Sequence, residues 1–392
     1  MLVWDNRRSM SDHLQRAPLP RIACVFGTRP EVVKMAPVII ALRDSGRAVP
    51  VLINTGQHRE LLAETMALFG LSSDVALDLM EHEQRLAGFF GRCVEALDRT
   101  LHKMRPAAIV AQGDTSKVLA AALVAFYQHV AFFHVEAGLR TGNMRLPFPE
   151  EMNRMMASRL ATLHFAPTQA ARDNLLREGI APDSIVVTGN TVIDALLMVR
   201  DLRIAHPVEL TPGKRLIVVT AHRRENFGGP FRAMLRALKE IAARYPDVEI
   251  VYPAHPNPEV RRAIADEIAA GDAVRIVEPM SYGPFVSLLD AAFMILTDSG
   301  GIQEEAPALG KPVLVLRAET ERPEAIAAGV ALLVGTDAAA IVRESSRLLD
   351  DPEWYRKMAK GASPYGDGLA GGRIAESIVH HVEASAALRR TR

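Results

Sequence analysis

Cysteine is scarce in these 392 residues: Cys24 and Cys93 are the only two. Without a CxxC pair they form neither a disulfide framework nor a zinc-ligand spacing. Net charge is absent as well, with 46 Lys and Arg against 46 Asp and Glu. A balanced chain lacks the field that gathers DNA or an anionic membrane, so neither is expected as a partner, although a local basic pocket is compatible with it. The longest apolar stretch, residues 118–127, falls far short of the roughly 20 residues that cross a bilayer. The first twenty residues lack the apolar centre of a signal peptide and read as a loose extension, which predicts a cytoplasmic location. Neither GxxxxGK[ST] nor HExxH occurs, so P-loop hydrolysis and zinc chemistry are not expected, and no metal or cofactor is assigned. The one GxGxxG match, at Gly366, Gly368 and Gly371, follows no strand and reads as a loop before the last helix.

What is present is an ordinary globular mix, 49% hydrophobic and 23% charged. At about 150 residues per domain the length predicts two to three domains. Short β-branched runs alternate with longer amphipathic stretches. Residues 21–26, 51–54, 107–111, 130–135, 163–166 and 184–187 read as strands, with helices such as 58–69, 84–104, 116–128, 150–160 and 169–178 between them. A helix over 192–203 leads into HPVELTPGKR, whose two prolines and glycine mark a linker. The pattern then restarts, with strands at 216–220, 249–252, 274–277, 293–297, 312–316 and 332–334. Strands separated by helices of ten or more residues mean parallel βαβ units. The fold class is α/β: two doubly wound Rossmann-like domains facing a central cleft. Their expected spans are 21–187 and 188–372, preceded by an extension over 1–20. A C-terminal helix and tail over 373–392 is expected to pack back on the N-terminal domain.

Ligands of such sheets sit outside the carboxyl ends of the strands, and the unusual polar clusters fall there. GTRPE (27–31), QGDTS (112–116), EAGLR (136–140), TAHRREN (220–226), PAHP (253–256) and DSGGIQEE (298–305) each follow a predicted strand. One such cluster alone would be a capped helix start; six along one sheet edge point to a site. In Ser299-Gly300-Gly301 the glycines let backbone N–H groups approach an anion at a helix N-terminus, which favours phosphate. Arg29 and Lys34 from the opposite domain, and Arg322 from ETERPE, supply positive charge. Glu305 can accept two ribose hydroxyls, or else lie on a solvated helix face. Together these describe a nucleotide diphosphate held between domains.

The acid–base candidates are Asp114, Glu136, Glu150, Glu151 and His222. Glu150 and Arg154 are four apart, share a helix face and are expected to pair. Carboxylates crowded into one site push their pKa values apart, giving one base and one acid.

The motifs resemble those of the non-hydrolysing UDP-N-acetylglucosamine 2-epimerases. GTRPEVVKMAPV, NTGQHRE, QGDTSKVLAAALVAFY, HVEAGLRTGN, PFPEEMNR, VTGNTVIDAL, TAHRRENFG, VYPAHPNP, ILTDSGGIQEEAPALGKPVLVLR, ETERPEA and SPYGDG run in order from about residue 21 to 375. The resemblance implies a glycosyltransferase-B-like fold, a homodimer, and reversible conversion of UDP-GlcNAc to UDP-ManNAc for surface polysaccharide synthesis. It implies catalytic roles for Asp114, Glu136, Glu150, Arg154 and His222. Contacts to the UDP-sugar fall on Arg29, Lys34, His255, Ser299, Gly300, Gly301, Glu305 and Arg322. A second, regulatory UDP-GlcNAc site is fitted by Gln57, Arg224 and His255. Glu60 and Glu83, however, stand where regulated members carry Gln and Arg, and a carboxylate beside a diphosphate repels it.

Inverting C2 breaks a C–H bond with no adjacent carbonyl. With no dinucleotide fingerprint to oxidise a neighbour, the resemblance implies elimination of UDP to 2-acetamidoglucal, then re-addition with the proton on the other face. The rival readings are a hydrolysing epimerase releasing ManNAc, a retaining glycosyltransferase of the same architecture, and a catalytically silent nucleotide-sugar sensor. A sensor needs the phosphate contacts but not the carboxylates.

Overall fold

The structure is a computed structural model describing residues 18–56, 59–79, 85–269, 273–361 and 363–390, with the side chains of 59–61 and 389–390 left aside. The first half runs β1 (Arg21–Phe26), α1 (Arg29–Asp44), β2 (Val49–Asn54), α2 (Arg59–Leu68), β3 (Val75–Ala76), α3 (Leu86–Met104) and β4 (Ala108–Gln112). It continues through α4 (Ser116–Tyr127), β5 (Ala131–Val135), α5 (Glu150–Leu160), β6 (Leu163–Ala166), α6 (Gln169–Arg177) and β7 (Ile185–Val187). These strands form one seven-stranded sheet in the order β3-β2-β1-β4-β5-β6-β7, every pairing parallel. Val75–Ala76 is a strand the periodicity did not suggest. Two residues are too few to show alternation, and they are set by main-chain pairing to β2 at the sheet edge.

After α7 (Thr191–Asp201) come β8 (Arg215–Thr220), α8 (Gly229–Arg244), β9 (Val248–Pro253), α9 (Pro258–Glu267), β10 (Val274–Val277), α10 (Tyr282–Ala291) and β11 (Met294–Thr297). Then follow α11 (Gly300–Ala308), β12 (Val313–Val315), α12 (Pro323–Ala327), β13 (Ala331–Leu333), α13 (Ala338–Asp350), α14 (Pro352–Met358) and α15 (Ala370–Arg390). The second sheet is also all parallel, in the order β10-β9-β8-β11-β12-β13. Strand order reverses between β1 and β4 in one sheet and between β8 and β11 in the other. These switch points open the crevices where ligands bind.

The β1 run RIACVF is buried after its first residue because helices cover both faces of a parallel sheet. Thr28 then caps α1 with Glu31 in a reciprocal capping box, and Pro30 fits the first turn. The Glu31 carboxylate also accepts from Gly27 N at 2.7 Å and from the Thr115 hydroxyl at 2.6 Å, so one side chain ties the β1 loop to the β4 loop. The two halves join through Val33 and Ala36 of α1, Ala195, Leu196 and Val199 of α7, and Val286 of α10, which share one buried cluster. Helix α15 returns to the first half: Ile374, Ile378 and Val382 pack with Met35, Val38 and Leu42. Among the described residues no helix is long and apolar enough to cross a membrane.

Candidate active site

Helix α1, which follows β1, and the loops after β4 and β5 bring Lys34, Asp114 and Glu136 together at the first switch point. Glu136 stands on a left-handed backbone, φ +62°, a conformation that costs a non-glycine residue about 1–3 kcal/mol and persists where the surroundings fix it. Its carboxylate is nearly enclosed and accepts from Lys34 Nζ at 2.5 Å, from Asn190 Nδ2 at 3.1 Å and from Gln112 Nε2. Burial would raise its pKa, but Lys34, Arg322 and Asn190 outweigh it and hold Glu136 below the usual carboxylate range. Lys34 is correspondingly raised: burial opposes its charge, and Glu136 and Glu304 overcome that penalty.

Asp114 is shifted the other way. Burial pushes its carboxyl up, aided by Glu136 and Glu150, against the pull of Arg154 and Lys34. The site therefore holds one carboxylate kept ionised beside another kept basic. Arg154 pairs with Asp114 at 2.7 Å and with Glu151 at 3.4 Å. The expected Glu150–Arg154 pair is a correction, for no ion pair joins them among the described residues. Arg154 turns inward because Glu151 is fully buried, accepting from Thr141 N at 2.9 Å and Gly142 N at 3.1 Å, and needs a countercharge. Glu150 is left half-buried at the start of α5, free of that pairing.

At the second switch point Ser299 caps α11 without spending its hydroxyl on the helix. Gly300 is buried, and a Cβ there would meet Glu321 Oε1 at 2.9 Å, whereas Gly301 opens outward beside Glu305. Glu305 is buried, which corrects the solvated-face alternative. Tyr282 donates to it at 2.6 Å, and burial lifts its pKa to about 7. Arg322, at the N-cap of α12, donates to Glu304. His222, after β8, stacks on His255, after β9, with ring centroids 4.9 Å apart and planes 11° from parallel. Burial lowers the pKa of His222; Asp298 opposes that shift, while His255 and Arg223 add to it. Arg29 is exposed at the first residue of α1, and Arg224 is exposed on a 3-10 turn. Gln57, Glu83 and the side chain of Glu60 lie outside the described residues, as do residues 1–17.

Two residues that sequence reasoning passed over join the halves. Asn190, the N-cap of α7, splits its amide between Glu136 of the first half and Glu304 of the second, 3.1 Å to each. An asparagine before a helix reads as a cap, which it is, since it accepts from Val192 N at 3.1 Å. Nothing in the spacing reveals its donors. Glu304 was hidden beside Glu305 in the same helix.

A family model described as UDP-N-acetylglucosamine 2-epimerase matches residues 40–379. The UDP-N-acetylglucosamine 2-epimerase of Escherichia coli K12 is 46% identical over 369 residues, 91% of this chain and 98% of its own. That of Bacillus subtilis is 46% identical over 363 residues, 92% of this chain and 95% of its own. The crystal structure of UDP-GlcNAc 2-epimerase from Neisseria meningitidis bound to UDP-GlcNAc is 43% identical with a TM-score of 0.83, spanning 92% of this chain and 100% of that one. The glycosyltransferase SnogD from Streptomyces nogalater, 16% identical with a TM-score of 0.57, covers 95% of this chain and 99% of its own and shares the fold alone. Motifs, paired sheets and relatives agree over nearly the whole length, and the chain belongs to the UDP-N-acetylglucosamine 2-epimerase family.

Proposed function

We propose that this protein interconverts UDP-GlcNAc and UDP-ManNAc without releasing free sugar, by eliminating UDP across C1–C2 and adding it back. The observation that carries the reading is the pair of unlike carboxyls at the first switch point: Glu136 ionised against Lys34, and Asp114 with a raised pKa. In the elimination a carboxylate takes the C2 proton, the C–H electrons form the C1=C2 bond, and the C1–O bond breaks with its electrons on the β-phosphate oxygen. Re-addition reverses these steps with the proton delivered to the other face of C2. Inversion thus needs acid–base groups on both faces, and Asp114, Glu136 and Glu150 divide that work. Carboxylates flanking the ring also stabilise oxocarbenium character at C1.

The departing diphosphate calls for preorganised positive charge. The free Ser299 hydroxyl, the N-terminus of α11 with Gly300 and Gly301, Arg29 and Arg322 supply it, while Glu305 takes the ribose hydroxyls. His222 supports the leaving phosphate or shuttles a proton, with His255 against its ring. The homodimer, the cytoplasmic location and the supply of ManNAc units for surface polysaccharide belong to the same reading, as do expected spans of 21–187 and 188–372 for the domains. Gln57 and Arg224 are assigned to a second UDP-GlcNAc site, with activation in its usual form disfavoured by Glu60 and Glu83.

Incubating the purified protein with either UDP-sugar alone and resolving the nucleotide pool by chromatography tests this. The same mixture of the two UDP-sugars is expected from both directions. Stoichiometric UDP and free ManNAc would move the protein to the hydrolysing type, and an unchanged pool would sink the reading.

A further inference from the structure

Asp298, the residue after β11, is fully buried and its two carboxylate oxygens are treated differently. Oδ2 is saturated: it accepts from His222 N at 2.9 Å, from Arg223 N at 2.8 Å and from Asn226 Nδ2 at 3.3 Å. Oδ1 is buried with no hydrogen-bond partner, a condition that is costly for a carboxylate unless something compensates. It lies 3.9 Å from His222 Nδ1. The carboxylate is thus locked to the backbone of the His222 loop through one oxygen while the other is held toward the ring.

We propose that Asp298 is the positioning residue of His222, taking the imidazole Nδ1–H on its free oxygen and so presenting Nε2 to the diphosphate end of the substrate. The proposal rests on the role given to His222 above. The 3.9 Å separation exceeds a hydrogen bond, but such contacts are commonly long in a free enzyme and close when substrate binds. The ring has room to swing toward that oxygen, since the His222 side chain is 40% exposed. His255 covers one face at 4.9 Å, and the Thr220 and Thr297 hydroxyls, 2.5 Å apart, pin the ends of β8 and β11 beneath. The titratable and charged groups facing the ring are Asp298, His255 and Arg223. The last two, with burial, keep the imidazole neutral in the free protein. A bound diphosphate brings the additional negative charge that, together with Asp298, stabilises the imidazolium. In elimination the Nε2 proton passes to the departing β-phosphate oxygen. In re-addition that oxygen returns the proton as it attacks C1. Fixing the tautomer through a buried carboxylate is the logic of hydrolytic triads.

The test compares Asp298→Asn with His222→Gln and the double variant. Asparagine retains a carbonyl oxygen for the three loop donors but turns an N–H toward Nδ1, which imposes the opposite tautomer. Asp298→Asn should lose about 100-fold in kcat, with KM for UDP-GlcNAc within about threefold and the alkaline limb of kcat, where the imidazolium loses its proton, moved to lower pH. The double variant should be no slower than His222→Gln, because residues that act as a unit are non-additive. Independently of folding in any variant, the imidazole 15N spectrum of the intact wild-type protein with UDP should show Nδ1 of His222 protonated. Near-normal kcat in Asp298→Asn while His222→Gln is about 100-fold slower, or a wild-type spectrum with Nδ1 unprotonated, would overturn the dyad alone. Normal turnover in His222→Gln would overturn the role of His222 itself and the dyad with it.

Discussion

Glu136 concentrates the chemistry of the first half in one residue. Its left-handed backbone aims the carboxylate at Lys34, and the amides of Asn190 and Gln112 complete its coordination. Glu136→Gln keeps the shape and removes the charge that Lys34 answers, so kcat should fall at least about 100-fold, the usual scale for an acid–base group. Asp114→Ala and Glu150→Ala should fall as far, and normal steady-state turnover in any one would remove that residue from the mechanism. Glu305 predicts a pH dependence. It is buried with a pKa lifted to about 7 from 4.5; its proposed contact to the ribose hydroxyls needs the ionised form, so UDP affinity by calorimetry should rise between pH 6 and 8. The stability effect has the opposite sign. A carboxyl whose folded pKa is raised contributes stability that is full below its unfolded pKa and lost as pH rises through the folded one. The melting point of the ligand-free protein should therefore lose a component between about pH 4.5 and 7, and Glu305→Gln should abolish it. The polar types at this scale were legible because they follow strands. The partners of Arg154 and Asp298 were not, since Asp114 and His222 come from loops far away in the chain.

At the scale of elements, the order β1-β4 and β8-β11 places the functional loops, and alternation of strand and helix made the architecture legible from the sequence. The helix expected over 192–203 runs Thr191–Asp201, because the Asn190 cap rather than hydrophobicity sets its start. Spacing could not reveal the seat of α15, which depends on the absence of a side chain. A Cβ on Gly371 would lie 2.8 Å from the backbone carbonyl carbon and oxygen of Pro37 in α1. Gly371→Ala should therefore force the two helices apart and destabilise the fold by about 1–3 kcal/mol, read as a lower urea midpoint. An unchanged midpoint would contradict the packing.

Over the whole molecule, the two halves meet at a polar bridge as well as an apolar one. Arg322 answers Glu304, Glu304 and Glu136 share the amide of Asn190, and Glu136 answers Lys34. In the proposed function a diphosphate drawn to Arg322 would compete with Glu304 for that charge, so nucleotide binding in the second half would reach the carboxylate of the first. Asn190→Asp keeps the acceptor that caps α7 and replaces the shared donor with a third carboxylate. It should lower the melting point, since Asn190 is buried and loses both donated bonds, raise the pKa of Glu136 and cut kcat at least about tenfold where the variant stays folded; wild-type kinetics would remove the bridge from the account. The central claim is that C2 exchanges its proton with solvent as UDP leaves and returns, with no net release of free sugar. Incubation with UDP-GlcNAc in D2O, followed by proton NMR, tests this directly. The account predicts UDP-ManNAc carrying deuterium at C2, with the C2 proton lost from recovered UDP-GlcNAc as well and little free sugar. UDP-ManNAc that retains its C2 proton, or free ManNAc as the main product, would contradict it.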